Sequence, residues 1–65
     1  MDDRQLELYQ IRALANLTQK QAADLLHVHE NTYLRIEKDP KRITLDQAYI
    51  LTKAAGVGVQ QIKIR

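Results

Sequence analysis

Residues 19–38 read QKQAADLLHVHENTYLRIEK, and this stretch decides the fold. Thr18, just before it, stands three residues ahead of Gln21, the spacing of a capping box that starts a helix. Ala22, Ala23 and Leu26 then fall on one side, giving a helix over about 19–26. A second helix is predicted over about 30–38, with Tyr33 and Ile36 three apart on its inner face. Only His27, Val28 and His29 lie between the two. Two helices joined this tightly make a helix-turn-helix, whose second helix can enter the major groove of DNA. Val28 would plug the angle between them, and His29 sits where an N-cap belongs.

His27, His29 and Glu30 also invite a metal reading. His-x-His does not place both rings on one helical face, and the chain has no other histidine to fill the coordination sphere. No metal and no cofactor is expected. Cysteine and serine are absent, and no glycine-rich phosphate loop is present, so nothing specifies an enzyme or a small-molecule substrate. The absence of cysteine removes disulfides and thiolate metal sites and fits a reducing cytosol.

The flanking sequence extends the helical pattern. Asp2 with Gln5 and Thr44 with Gln47 repeat the capping spacing. A first helix is predicted over about 3–15, with Leu6, Tyr9, Ala13 and Leu14 on one side and Leu8 and Ile11 widening the apolar face. A fourth is predicted over about 45–55, with Leu45, Ala48, Leu51, Thr52 and Ala55 at helical spacing and Gly56 as its C-cap. Between helices, DPKR breaks the chain, because proline disfavours helix in the residue before it. The tail, VGVQQIKIR, fits either a fifth short helix or an alternating strand that needs a partner edge, such as a second subunit.

The chain has 65 residues, a net charge of +2 and 28% charged residues. A chain this short makes one domain, 1–65, whose core alone supplies only about 3–5 kcal/mol. The mild basicity permits a nucleic-acid partner without specifying one. No apolar run approaches a membrane span, and the acidic, amphipathic N-terminus is unlike a signal peptide. A cytoplasmic protein with no membrane partner is expected.

In order, LTQKQAADLLHV, TYLRIE, TLDQAYILTKAAGV and VQQI resemble the Cro and phage-repressor type of helix-turn-helix regulators, the Xre family. The resemblance covers roughly residues 6–62. It implies an all-α, lambda-repressor-like fold of four to five helices, with a possible short C-terminal strand. Arg12 and Glu37 match an arginine and a glutamate that pair across helices 1 and 3 in that family. Where the family often has glycine, this chain has Asn16, His27 and Asp39. These residue types tolerate positive φ better than other non-glycine residues, so a left-handed backbone is expected at all three.

The outer face of the third helix carries Glu30, Asn31, Leu34 and Arg35. Arginine pairs with guanine in a fork, asparagine with adenine, glutamate accepts from cytosine, and an apolar side chain meets a thymine methyl. By resemblance, Glu30, Asn31 and Arg35 match base-reading positions. The bland alternatives are a first-turn acid favoured by the helix dipole for Glu30 and an isolated surface leucine for Leu34. Thr18, Gln19, His29, Thr32, Lys38, Lys41 and Arg42 are the candidates for DNA backbone contacts. Residues 37–42 total only +1, so that loop also reads as an ordinary solvated turn.

The resulting expectation is a phage or bacterial transcriptional regulator of repressor type. It would bind double-stranded DNA at an inverted-repeat operator as a homodimer, pairing through Val57, Val59, Ile62 and Ile64. The rival is a protein-interaction module on the same fold, for which an exposed apolar face through Leu34 and Tyr49 would speak.

Overall fold

The computed structural model describes residues 5–64. Four α-helices follow one another: α1 (Leu8–Leu14), α2 (Gln19–Leu25), α3 (Glu30–Lys38) and α4 (Leu45–Ala55). Two 3-10 turns, Pro40–Arg42 and Val59–Gln61, follow α3 and α4 respectively. α2 packs against α3, and α1 against α4. Leu8, Ile11, Ala22, Ala23, Leu26, Tyr33, Ile36, Ala48, Leu51 and Ile62 form the core. No described helix is long and apolar enough to cross a membrane.

The helix starts follow the capping chemistry. Thr18 Oγ1 accepts from the Gln21 N–H at 3.0 Å, and the Thr18 N–H donates to Gln21 Oε1 at 2.9 Å. Thr44 and Gln47 repeat the exchange at 3.1 and 3.0 Å. Each exchange satisfies donors that a helix start would otherwise leave unpaired.

Three helix ends share one device. After α1 the Asn16 N–H donates to Ala13 O and the Leu17 N–H to Arg12 O. After α2 the same pattern joins His27 to Asp24 and Val28 to Ala23; after α4 it joins Gly56 to Lys53 and Val57 to Thr52. These are Schellman motifs, which require a left-handed residue followed by an apolar one. Asn16, His27 and Gly56 have φ of 64°, 59° and 78°. The apolar followers Leu17, Val28 and Val57 all pack against the core. His27 is thus a backbone residue with an exposed ring. His27→Gly is expected to raise stability by about 0.5–1 kcal/mol, because relief of the αL clash outweighs the added freedom of the unfolded chain. Thermal melting checks this; an unchanged or lower midpoint would contradict it.

Asp39 departs from the expectation. Its φ is −134° and its ψ is 84°, far from the left-handed region. Pro40 follows it, and a residue before proline is pushed towards extended backbone. α3 therefore ends at a bend, and Pro40–Arg42 continues as a 3-10 turn.

The first helix is shorter than the sequence pattern suggests. Asp2 and residues 3–4 lie outside the described residues. Gln5, Leu6 and Glu7 are not helical, and α1 begins at Leu8 with Glu7 as N-cap. The Leu6 N–H donates to Gln61 O at 2.6 Å, and Leu6 O accepts from the Lys63 N–H at 2.8 Å. A residue so engaged cannot also enter the helical ladder. The resulting parallel bridge, Leu6 to Ile62, resolves the tail. Both alternatives occur in succession, a 3-10 turn and then a bridging residue, and the partner edge comes from the same chain. Ile62 is consequently 4% exposed and cannot be a pairing residue between subunits.

The buried face of α1 also differs from the expected one. Leu8 and Ile11 are in the core, whereas Tyr9, Ala13 and Leu14 are exposed. Leu45, expected inward, is 77% exposed at the start of α4. Thr52 is buried without penalty, since its hydroxyl donates to Ala48 O at 2.7 Å.

Candidate nucleic-acid interface

Tyr33 and Ile36 are 0% and 3% exposed and fix which side of α3 faces the core. A helix advances about 100° per residue. Asn31, Leu34, Arg35 and Lys38 therefore share the outward side, with Glu30 and Thr32 at its two margins. Glu30, Asn31, Thr32, Arg35 and Lys38 are exposed, while Leu34 is only partly so. Leu34 is thus not an isolated surface leucine. Lys38 stands two turns beyond Asn31 on the same stripe, more central than the flank position expected for it.

One carboxylate holds α3 in place. Glu37 Oε2 accepts from Arg12 Nε at 2.7 Å and from the Tyr33 hydroxyl at 2.6 Å. Its Oε1 accepts from Gln19 Nε2 at 3.2 Å. Side chains from α1, α2 and α3 therefore meet at Glu37. The arginine is not used as a fork on the carboxylate, because Arg12 Nη1 donates instead to Leu17 O at 3.1 Å. That second bond ties the ion pair to the loop leaving α1. The hydrogen bond to Glu37 raises the Arg12 pKa against the opposing effect of burial. Burial, reinforced by the Glu37 bond, pushes the Tyr33 hydroxyl well above its ordinary value, so it remains a donor. The tyrosine's core position was legible in the sequence. Its bond to Glu37 was not drawn, although a Tyr and a Glu four apart on one helix face each other.

The backbone candidates fall into two groups. Thr18 and Gln19 have partners within the protein. Thr18 Oγ1 accepts the capping bond and keeps its own hydrogen for donation. Gln19 turns its amide nitrogen to Glu37, so it braces α3. His29 occupies the N-cap position of α3 but its side chain makes no capping bond, leaving the ring exposed. Lys41 is exposed, and Arg42 Nε lies 3.6 Å from Asp39 Oδ2.

The ion pairs among the described residues change the local charge balance. Arg12 engages Glu37, and Arg42 lies beside Asp39. Over residues 30–42 this leaves the cations Arg35, Lys38 and Lys41 against the single carboxylate Glu30. Among the described residues no group of three or more His, Asp or Glu side chains is placed to hold a metal.

A tight α2–α3 turn, an α3 anchored by two buried residues, and a polar outward stripe complete the arrangement. A family model for the helix-turn-helix matches residues 8–62. The chain belongs to the helix-turn-helix family of Cro and Xre type. This helix-turn-helix protein has the all-α, lambda-repressor-like architecture of that family and is a DNA-binding regulator. The family is a regulatory, DNA-binding one rather than an enzymatic one. No curated protein and no solved structure matches the chain.

Proposed function

We propose that the whole chain acts as one sequence-specific regulator of repressor type, inserting α3 into the major groove of double-stranded DNA. The observation that carries this is the exposed Asn31–Arg35 stripe on a helix whose other side is clamped by Tyr33, Ile36 and the Glu37 cluster. Base reading needs donors held in fixed orientation, and the clamp supplies that orientation. Asn31 and Arg35 read base edges, Glu30 accepts from a cytosine, and the exposed part of Leu34 meets a thymine methyl. Thr18, His29, Thr32, Lys38 and Lys41 hold the phosphates. Gln19 contributes through the second hydrogen of its amide, and Arg42 after release from Asp39. The complex needs no cofactor and no small molecule.

The protein binds as a homodimer on an inverted repeat, with half-site centres about 34 Å apart. An apolar groove lined by Ile43, Leu45, Val59 and Ile64 supports this pairing. It retains Val59 and Ile64 from the sequence reading and gains Leu45. Its place of action is the cytoplasm, on the nucleoid when bound.

Selection from a pool of random duplexes, followed by stoichiometry on the enriched site, tests the reading. An enriched inverted repeat bound by two copies is expected. No enrichment would turn the reading towards a protein partner on the same fold, for which the exposed Tyr49 speaks.

Lys41→Ala is expected to weaken binding equally on all sequences. It should also reduce the slope of log K against log salt by about 0.9, the value for one phosphate contact. An unaltered slope would remove Lys41 from the phosphate set.

A further inference from the structure

The exposed large apolar side chains cluster rather than scatter. Leu45, Val59 and Ile64 border the groove assigned above to dimer pairing. Tyr9 and Leu14, 54% and 58% exposed, belong to a second groove of about 490 Å³, lined also by Leu6, Ala13 and Val57. The two grooves share no lining residue. Gln10 and Gln61 complete the second one, and their carbonyl oxygens are already taken. Gln10 Oε1 accepts from the Glu7 N–H at 2.8 Å, and Gln61 Oε1 from the Gly58 N–H at 3.1 Å.

We infer that this second groove is a self-association face, and that its occupant is α1 of another copy of this chain. No charged side chain lines it, although 28% of the chain is charged. A two-fold interface sets a patch against itself, so any single charge in the patch would meet its like. This patch has none to repel. Its border carries one acid and one base beside Leu6, Glu7 and Lys63, with Lys63 Nζ 3.4 Å from Glu7 Oε2. Such a border suits a two-fold mate, since Glu7 can exchange its lysine for the partner's Lys63 without loss of charge pairing. An acidic or basic ligand would find no counter-charge inside. Ala13 supplies the shape, a small residue flanked by Tyr9 and Leu14, so a large side chain of the mate can seat between them.

With two separate faces, dimers paired through Leu45 and Ile64 join further copies through α1. The inference depends on the proposed function only in naming that first face, and its test involves no DNA. The experiment is sedimentation of the whole chain over a range of concentrations, for wild type, Leu14→Lys, Leu45→Glu and the double variant. Both substitutions are at exposed positions and suit their helix ends, a cation in the last turn of α1 and an acid in the first turn of α4. Wild type is expected to form species heavier than a dimer, each single variant to stop at the dimer, and the double variant to be a monomer. Circular dichroism verifies that the variants stay folded. Association abolished by Leu14→Lys alone, with Leu45→Glu unlike it, keeps the α1 face and removes the Leu45 face from the proposed function. A wild type that is monomeric throughout, or a Leu14→Lys variant that sediments as wild type does, overturns the inference.

Discussion

Glu37→Ala is expected to leave most of the protein unfolded at room temperature. The alanine deletes the shared acceptor of Arg12 Nε, Gln19 Nε2 and the Tyr33 hydroxyl. The Arg12 and Glu37 side chains are 20% and 11% exposed, so water reaches the stranded donors only in part. Breaking a buried pair by removing one partner costs about 3–5 kcal/mol, and partial access places this site towards the lower end. A domain of this size has about 3–5 kcal/mol in total from its core, so the loss is comparable with the whole. The origin of the loss can be separated from the pair's net worth. Arg12→Ala with Glu37→Ala should be more stable than Glu37→Ala alone, because no uncompensated guanidinium remains. Denaturant unfolding followed by circular dichroism measures both. A Glu37→Ala midpoint equal to wild type would mean that the cluster orients α3 without stabilising it.

The parts of this fold that were legible are those in which neighbouring residues decide the matter. The bounds of α3 and α4 follow from periodicity and from capping side chains three residues apart. The left-handed turns at Asn16 and His27 follow from residue type, and the apolar residue after each completes a motif that needs nothing distant. Asp39 failed because a second local rule, the constraint imposed by Pro40, overrides tolerance of positive φ. The start of α1 failed for a different reason. Leu6 spends its backbone groups on Gln61 and Lys63, more than fifty residues away, and no local pattern announces that.

The error over the face of α1 has the same root. Six apolar residues between Leu6 and Leu14 surround most of that helix, so periodicity alone does not select which of them the core takes. α4 selects Leu8 and Ile11, and the remainder forms the uncharged groove. The DNA-facing stripe was easier to read, because Asn31 and Arg35 are polar residues whose opposite neighbours, Tyr33 and Ile36, leave no doubt about direction. Glu37 was readable as a partner of Arg12 but not as a junction of three helices. Its link to Gln19 depends on how α2 crosses α3, which is a property of the packed turn rather than of either helix.

Arg35→Ala is expected to produce the largest change in DNA selection. A fork on one guanine is worth about 1–3 kcal/mol of discrimination. On an inverted repeat the same residue acts in both half-sites, so a dimer loses about 2–6 kcal/mol, roughly thirty-fold to ten-thousand-fold in affinity for its site. Alanine alone does not separate base reading from charge, since either role weakens binding. Arg35→Lys does. Lysine keeps the cation but replaces the planar fork by a point charge. If Arg35 reads a base, Arg35→Lys keeps the salt dependence and the affinity for random duplex, yet selection returns a site in which one position of each half has lost its preference. If Arg35 only neutralises a phosphate, the lysine variant selects the wild-type site unchanged, and the alanine variant weakens all duplexes alike. Stability is not at issue in either variant, because Arg35 is exposed and lies outside the Glu37 cluster. A loss confined to selection therefore assigns base reading to this side chain, and a uniform loss moves it to the phosphate contacts beside Lys41.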